Sequence, residues 1–270
     1  MKSRWLSGPY IDWMLLFTLI PLGVVAFFAF TDRSGSFTLA NLAGIGAYLP
    51  ILLRSIGLSL VASAICLLVG YPAACCIANA PPARQRVYYM LVMLPMCMSF
   101  LLRTLAWVAL LEDTGIVNNL LRALGLSPLP LIRSNGAVIL GMVYNYLPYM
   151  IMPLYTVIAK IDHRLIEAAQ DLGCNGPQVF GRVVLPLSVP GIVSGVTMVF
   201  VPAVSTFYIS QKLGSPGSTL IGDVIESQFK GAYNPNLGAA MSLVLMALIF
   251  LCVGFMNRFS DAGKEGGIMP

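Results

Sequence analysis

The sequence predicts an all-α membrane protein with six transmembrane helices, forming one domain over residues 1–270. Three observations carry that expectation. The chain is 58% hydrophobic and 10% charged, with a mean hydropathy of +0.83, whereas soluble domains carry roughly 25% charged residues. Six stretches, near 11–30, 56–80, 87–111, 137–159, 188–210 and 237–257, reach the about 20 apolar residues that a helix needs to cross the hydrocarbon core. Four of them hold no Asp, Glu, Lys or Arg; the first holds only Asp12 and the third only Arg103.

The first stretch follows Lys2 and Arg4, as a secretory leader would. It runs long, contains Pro21 and leads into Phe30-Thr31-Asp32-Arg33 without a small-x-small cleavage site, so a retained helix is expected. Between the second and third stretches lies Pro81-Pro82-Ala83-Arg84-Gln85-Arg86, where two prolines break the helix and two arginines hold it at the headgroups. Three other connections, roughly 31–55, 112–136 and 211–236, are rich in Gly, Ser, Asn and Pro. They suit either a docking surface or simple links between tilted helices. With both termini inside, Lys2, Arg4, Arg84, Arg86, Lys160, Arg164, Arg182, Arg258 and Lys264 (nine) face the cytoplasm. Arg33, Arg54, Arg122, Arg133, Lys212 and Lys230 (six) face out, and this bias sets the expected orientation. Prolines inside five stretches free backbone carbonyls that need a neighbouring group or a wet cavity, as a gated path would supply. Six scattered cysteines without a C-x-x-C pair read as small apolar fillers. The net charge of +5 is too modest to suggest nucleic acid.

The connection 160–187 is long, polar and patterned. Asp162 can cap a short helix over residues 163–172, and Gly173 suits the left-handed position that ends it. Asn175-Gly176-Pro177 restarts a helix, with the proline tolerated in its first turn. Val179, Phe180 and Val183 make an apolar stripe before Leu185-Pro186 enters the fifth stretch. The expected product is a stiff helix-turn-helix across the cytoplasmic face.

Within that loop, Glu167-Ala168-Ala169, Gly173, then nine residues and Val183-Val184-Leu185-Pro186 match E-A-A-x-x-x-G…I-x-L-P, with Val183 in place of the usual Ile. The pattern resembles the signature loop of ABC importer permeases. Further matching stretches are Leu102-Arg103, Gly115-x-x-Asn118, Gly141-x-Val143-Tyr144-x-x-Leu147-Pro148, Pro153-Leu154-Tyr155, Lys160-Ile161-Asp162, and Leu220-Ile221-Gly222-x-Val224-Ile225 with Gln228-Phe229. From about residue 10 to 258 the chain is similar to the spermidine/putrescine importer permeases, to the first of their two membrane subunits. The resemblance implies a type I ABC importer permease fold and a multi-pass protein of the bacterial cytoplasmic (inner) membrane. It implies pairing with a second homologous permease, two copies of an ABC ATPase below and an extracytoplasmic solute-binding protein above. Glu167, Ala168, Ala169, Asp171, Gly173, Leu185 and Pro186 would then dock on the ATPase, with Glu167 meeting a cation of the partner or its own Arg164. Another solute (an amino acid, a phosphonate or a metal chelate) is the alternative within the same class.

The chain has no G-x-x-x-x-G-K-[ST]; its one Gly-Lys pair, Gly263-Lys264, precedes Glu265. ATP and Mg are therefore expected on the partner ATPase, with no cofactor or metal on this chain. The sole histidine, His163, lies outside the spans, which argues against an intramembrane enzyme and a catalytic residue set. A polyamine path should offer carboxylates and aromatic faces. The candidates are Trp107, Glu112, Asp113, Tyr144, Tyr149, Phe207, Tyr208, Asp223 and Glu226, the last two sharing a helix face by their spacing. Solvated loop charges and interfacial anchors are the competing readings for these acids and aromatics. For Arg103 an ion pair with Glu112 or Asp113, or snorkelling to the headgroups, is expected.

Overall fold

The computed structural model describes residues 12–32 and 34–265, with side chains to residue 258. Lys2, Arg4, Arg33 and the side chain of Lys264 lie outside the described residues. The chain runs α1 (Asp12–Ala29), α2 (Ala40–Ala78), α3 (Pro82–Cys97), α4 (Phe100–Leu111), α5 (Ile116–Ala123) and α6 (Asn135–Ile158). It continues through α7 (His163–Asp171), α8 (Gly176–Ser205), α9 (Tyr208–Leu213), α10 (Ile221–Lys230) and α11 (Pro235–Glu265). Among the described residues five helices are long and apolar enough to cross a membrane, or six if one bent pair counts as a single span.

That bent pair corrects the expected third span. The stretch 87–111 is two helices meeting at 87°, not one rod. Pro95 has no N–H to continue the ladder, α3 tightens into a 3₁₀ turn, and Met98 and Ser99 turn extended (ψ 148° and 132°) before α4 starts. The fifth span also differs. It begins at Gly176 rather than near 188, passes through a π-helical turn at Phe180–Val184, and stops at Ser205, where Thr206 is extended (ψ 144°). Arg54, expected in a connection, lies within α2, and the connection 211–236 contains α10.

Helix α6 is the centre of the packing, with α2 and α8 against it, while α1 lies along α11. Met142, Met150, Leu154 and Val138 of α6 are wholly buried. Lipid offers no hydrophobic drive between helices, so close backbone approach and dispersion must hold them. Gly195 of α8 shows this: a Cβ there would stand 2.7 Å from Met150 Sδ and 3.1 Å from its carbonyl oxygen.

Polar ties hold the long connections. Asn118, fully buried, donates to the carbonyls of Glu112 (3.2 Å) and Leu129 (3.0 Å) and accepts from Leu129 N–H (2.9 Å). Removing one partner of such a buried set costs about 1–3 kcal/mol. Asn118→Ala is therefore expected to free residues 124–132, read as faster limited proteolysis there with the helical circular dichroism unchanged.

Candidate functional site

Two ends of the bundle carry the candidate residues, and the loop 160–187 is the more sharply built. Asp162 accepts from Arg164 N–H at 3.0 Å and caps α7. Gly173 takes φ +83°; its N–H reaches Gln170 O (2.8 Å) and the Cys174 N–H reaches Ala169 O (3.0 Å). These two bonds are a Schellman ending, which needs the left-handed residue that glycine supplies. Asn175 and Gln178 form a reciprocal capping box at 3.1 and 3.0 Å, restarting the chain into α8. The bent element is thus fixed at both helix ends by local bonds.

Its rear is anchored to the bundle. Phe180 meets Tyr71 edge-on, with ring centroids 5.5 Å apart. Ser188 Oγ donates to Leu185 O (2.8 Å), so Tyr71 donates in its 2.8 Å contact with Ser188 Oγ. Both contacts tie α8, directly behind the loop, to α2. Neither Tyr71 nor the π turn stood out in the sequence, because their roles depend on a partner more than a hundred residues away.

The front is open. Glu167, Ala168, Asp171 and Gly173 are exposed and Ala169 half-buried; Leu185 and Pro186 open the straight part of α8 and are exposed too. Glu167 makes no ion pair with Arg164, correcting one of the two partners expected for it; among the described residues the one ion pair is Lys230–Glu226. Leu165 and Leu172, 49% and 86% exposed, flank Ala168 at i, i+3, i+7 and form an apolar stripe. Sequence reasoning passed over both leucines, although that spacing was available to it.

At the opposite end, the structure brings together three of the nine path candidates, Asp223, Glu226 and Phe207. Asp223 and Glu226 lie one turn apart on α10, Phe207 caps the start of α9, and Tyr208, the first residue of α9, lies instead against Phe100 with ring centroids 6.1 Å apart. Phe207 and Glu226 line an apolar groove of about 590 Å³ between α8, α10 and α11. Glu226 accepts from Lys230 (2.7 Å) and from Gln211; the Lys230 bond foremost, then that of Gln211, holds its carboxyl below the usual range. Asp223 is buried, which pushes its carboxyl above the usual range, while the bond from Leu220 N–H to Oδ2 (2.8 Å) foremost, then the neighbouring Ser210 and Gln211 side chains, work the other way. Its Oδ1 is buried and has no partner. Such an atom costs about 1–3 kcal/mol of folding free energy unless something else supplies a donor.

The remaining candidates are placed elsewhere. Trp107 meets Tyr144 edge-on at 5.4 Å, and Tyr149 lines a separate apolar groove of about 550 Å³ with Met96, Met152 and Met198. Glu112 and Asp113 are exposed beyond α4 and join no cavity with α9 or α10. Arg103 pairs with neither of them and does not snorkel. It is 7% exposed, and its Nε and Nη1 are buried without a partner. It lies on the Phe100-Arg103-Thr104-Trp107 face of α4, which is buried or half-buried.

Residues 66–265 match the model of the binding-protein-dependent transport system inner membrane components. The chain belongs to that family. Among its relatives, the spermidine/putrescine transport system permease PotB of Haemophilus influenzae is 38% identical, over 94% of this chain and 93% of that protein. PotB of Escherichia coli is 35% identical, over 94% and 98%. The inner membrane ABC transporter permease YdcU of Escherichia coli is 31% identical, over 90% and 83%. In fold, the chain resembles a bacterial ABC transporter involved in import of the polysaccharide alginate (TM-score 0.77, 20% identity, 95% of this chain and 94% of that one). The inward-facing MetNI methionine transporter is a more distant fold relative (TM-score 0.62, 16% identity, 80% and 95%). This family member is a multi-pass membrane permease subunit of an ABC importer with the type I fold, as the loop signature implied.

Proposed function

We propose that this chain is one of two paired permeases that import polyamines, spermidine and putrescine, driven by two ATPase subunits docked on residues 160–187. An extracytoplasmic binding protein delivers the solute to the end carrying α9 and α10, and both termini lie in the cytoplasm. Closure of the ATPases on ATP and Mg moves α7 and the start of α8, and the contacts of Phe180 and Ser188 with Tyr71 pass the movement from α8 to α2. The paired bundles then switch which side their shared cavity opens to. This chain makes and breaks no covalent bonds.

The observation that carries this reading is the doubly capped α7 with its uncovered stripe. Leu172 is 86% exposed beside the signature residues, and burying such a side chain is worth about 1.5–3 kcal/mol. A groove on a partner would supply that burial. The polyamine assignment rests on the relatives' transport systems and on the placing of Asp223, Glu226 and Phe207 at one end of the bundle. Reconstituted vesicles holding the full importer should accumulate labelled putrescine or spermidine on ATP addition. Single-cysteine cross-linking from positions 165–173 should capture the ATPase. Accumulation of amino acids or metal chelates instead would transfer the assignment to another solute, and capture of no ATPase would remove the coupling role.

A further inference from the structure

Between α9, residues 214–219 and the start of α10 lies a cavity of about 360 Å³, lined in part by Ser210, Ser215, Thr219 and Asp223. Its hydroxyl protons are already committed inside the chain. Ser210 donates to Phe207 O (2.8 Å) and Thr219 to Pro216 O (3.1 Å). Ser218 donates to Asn135 Oδ1 (2.8 Å), so in the 2.8 Å contact between Ser215 and Ser218 the donor is Ser215. The three lining hydroxyls therefore have only lone pairs left to offer. Beside them sits Asp223, 8% exposed, one oxygen taken by Leu220 N–H and the other, Oδ1, buried without a donor.

Gln211 lines the cavity too, but its amide donates to Glu226 and brings no donor within hydrogen-bonding distance of Oδ1. The remaining hydroxyl acceptors around an orphaned carboxylate oxygen repel anions and suit a compact cation rich in N–H groups. Metal ions suit it less: no group of three or more His, Cys, Asp or Glu that could hold one occurs among the described residues. Arg133 stands at the rim, exposed, with no hydrogen bond or ion pair of its own; its planar fork does not reach Oδ1. A primary ammonium has three donors and no acceptor, which matches what the cavity lacks. We propose that this cavity is a subsite for one terminal ammonium group of the transported solute, held by Asp223 Oδ1 and the lone pairs of Ser210 and Thr219. The proposal rests on the polyamine reading above. Next to it, one turn along α10, the groove lined by Phe207, Ile225 and Leu245 offers an apolar wall for the methylene stem. Glu226, at that groove, is already occupied by Lys230 and Gln211, which leaves Asp223 as the free carboxylate.

The test is uptake kinetics of labelled putrescine by the complete importer in proteoliposomes. Asp223→Asn keeps an oxygen to cap Leu220 N–H and removes the charge, so the fold is retained. Its KM for putrescine should rise by about tenfold or more, the worth of a hydrogen bond to a charged group. Thr219→Val keeps the shape of the wall and removes its lone pairs; a rise of about threefold is expected, as for a lost neutral hydrogen bond. Unchanged KM in either folded variant, with the wild type taking up putrescine, overturns the subsite and leaves the polyamine reading standing. A wild-type importer that carries neither putrescine nor spermidine, while carrying another solute, overturns both.

Discussion

Replacing Gly173 by proline is expected to abolish uptake while the protein still inserts and accumulates in the membrane. Gly173 holds φ +83°, and proline is locked near −65°. The substitution also deletes the N–H that reaches Gln170 O at 2.8 Å. Strain of about 1–3 kcal/mol and a lost bond of about 1 kcal/mol fall on a nine-residue helix that has no deep core of its own. Helix α7 then leaves its set angle to α8, which under the proposed coupling stops movement of the ATPase from reaching the spans. Glu167→Lys tests the same contact from its front: the carboxylate is exposed and unpaired, so the new cation meets the partner directly. Uptake in vesicles, set against membrane abundance by immunoblot, checks both variants. Normal uptake by both would refute the coupling role of the loop.

Gly222→Ala is expected to produce the largest effect at the other end. A Cβ there would lie 2.5 Å from Thr206 O and 2.7 Å from Ser205 O. These are backbone atoms at the end of α8, which cannot swing aside as a flexible side chain does. Overpacking of this kind costs about 1–3 kcal/mol and displaces the element that carries it. Helix α10 would move off α8, and the 2.8 Å bond from Ile221 N–H to Ser55 Oγ, its tie to α2, would break. Asp223 and Glu226 ride on that helix. The variant should therefore show both a lowered thermal midpoint of the purified complex and a strong loss of putrescine uptake. Ser55→Ala, which removes the tie without adding bulk, should lower both stability and uptake by less than Gly222→Ala does; equal behaviour of Gly222→Ala and wild type would show that the close approach is not required.

The helix caps of loop 160–187 were legible in the sequence. Asp162, Gly173 and Asn175 act on backbone groups no more than five residues away, so the residue types themselves announce their bonds. The spans were legible for a similar reason, since their hydropathy answers to the bilayer and not to each other. Pro95 was visible too, yet its consequence was not. A proline in a membrane helix is absorbed as a kink or becomes a break according to what its neighbours supply, and here α4 found its packing against α6 and α9 only after an 87° turn. The same contingency misplaced Arg103, whose expected partners lie beyond the end of the helix that buries it.

Sequence alone therefore determined that the chain crosses a membrane several times, that it presents one rigid bent element at one face, and to which family it belongs. Tertiary structure decided which of its acids converge. Asp223 becomes buried and half-satisfied because Ser55, 168 positions earlier, holds the start of α10 against α2, and because Gly222 lets that helix touch the end of α8. Contacts closed across such separations leave no periodicity for a reader of the chain to follow; they exist only once the helices have packed.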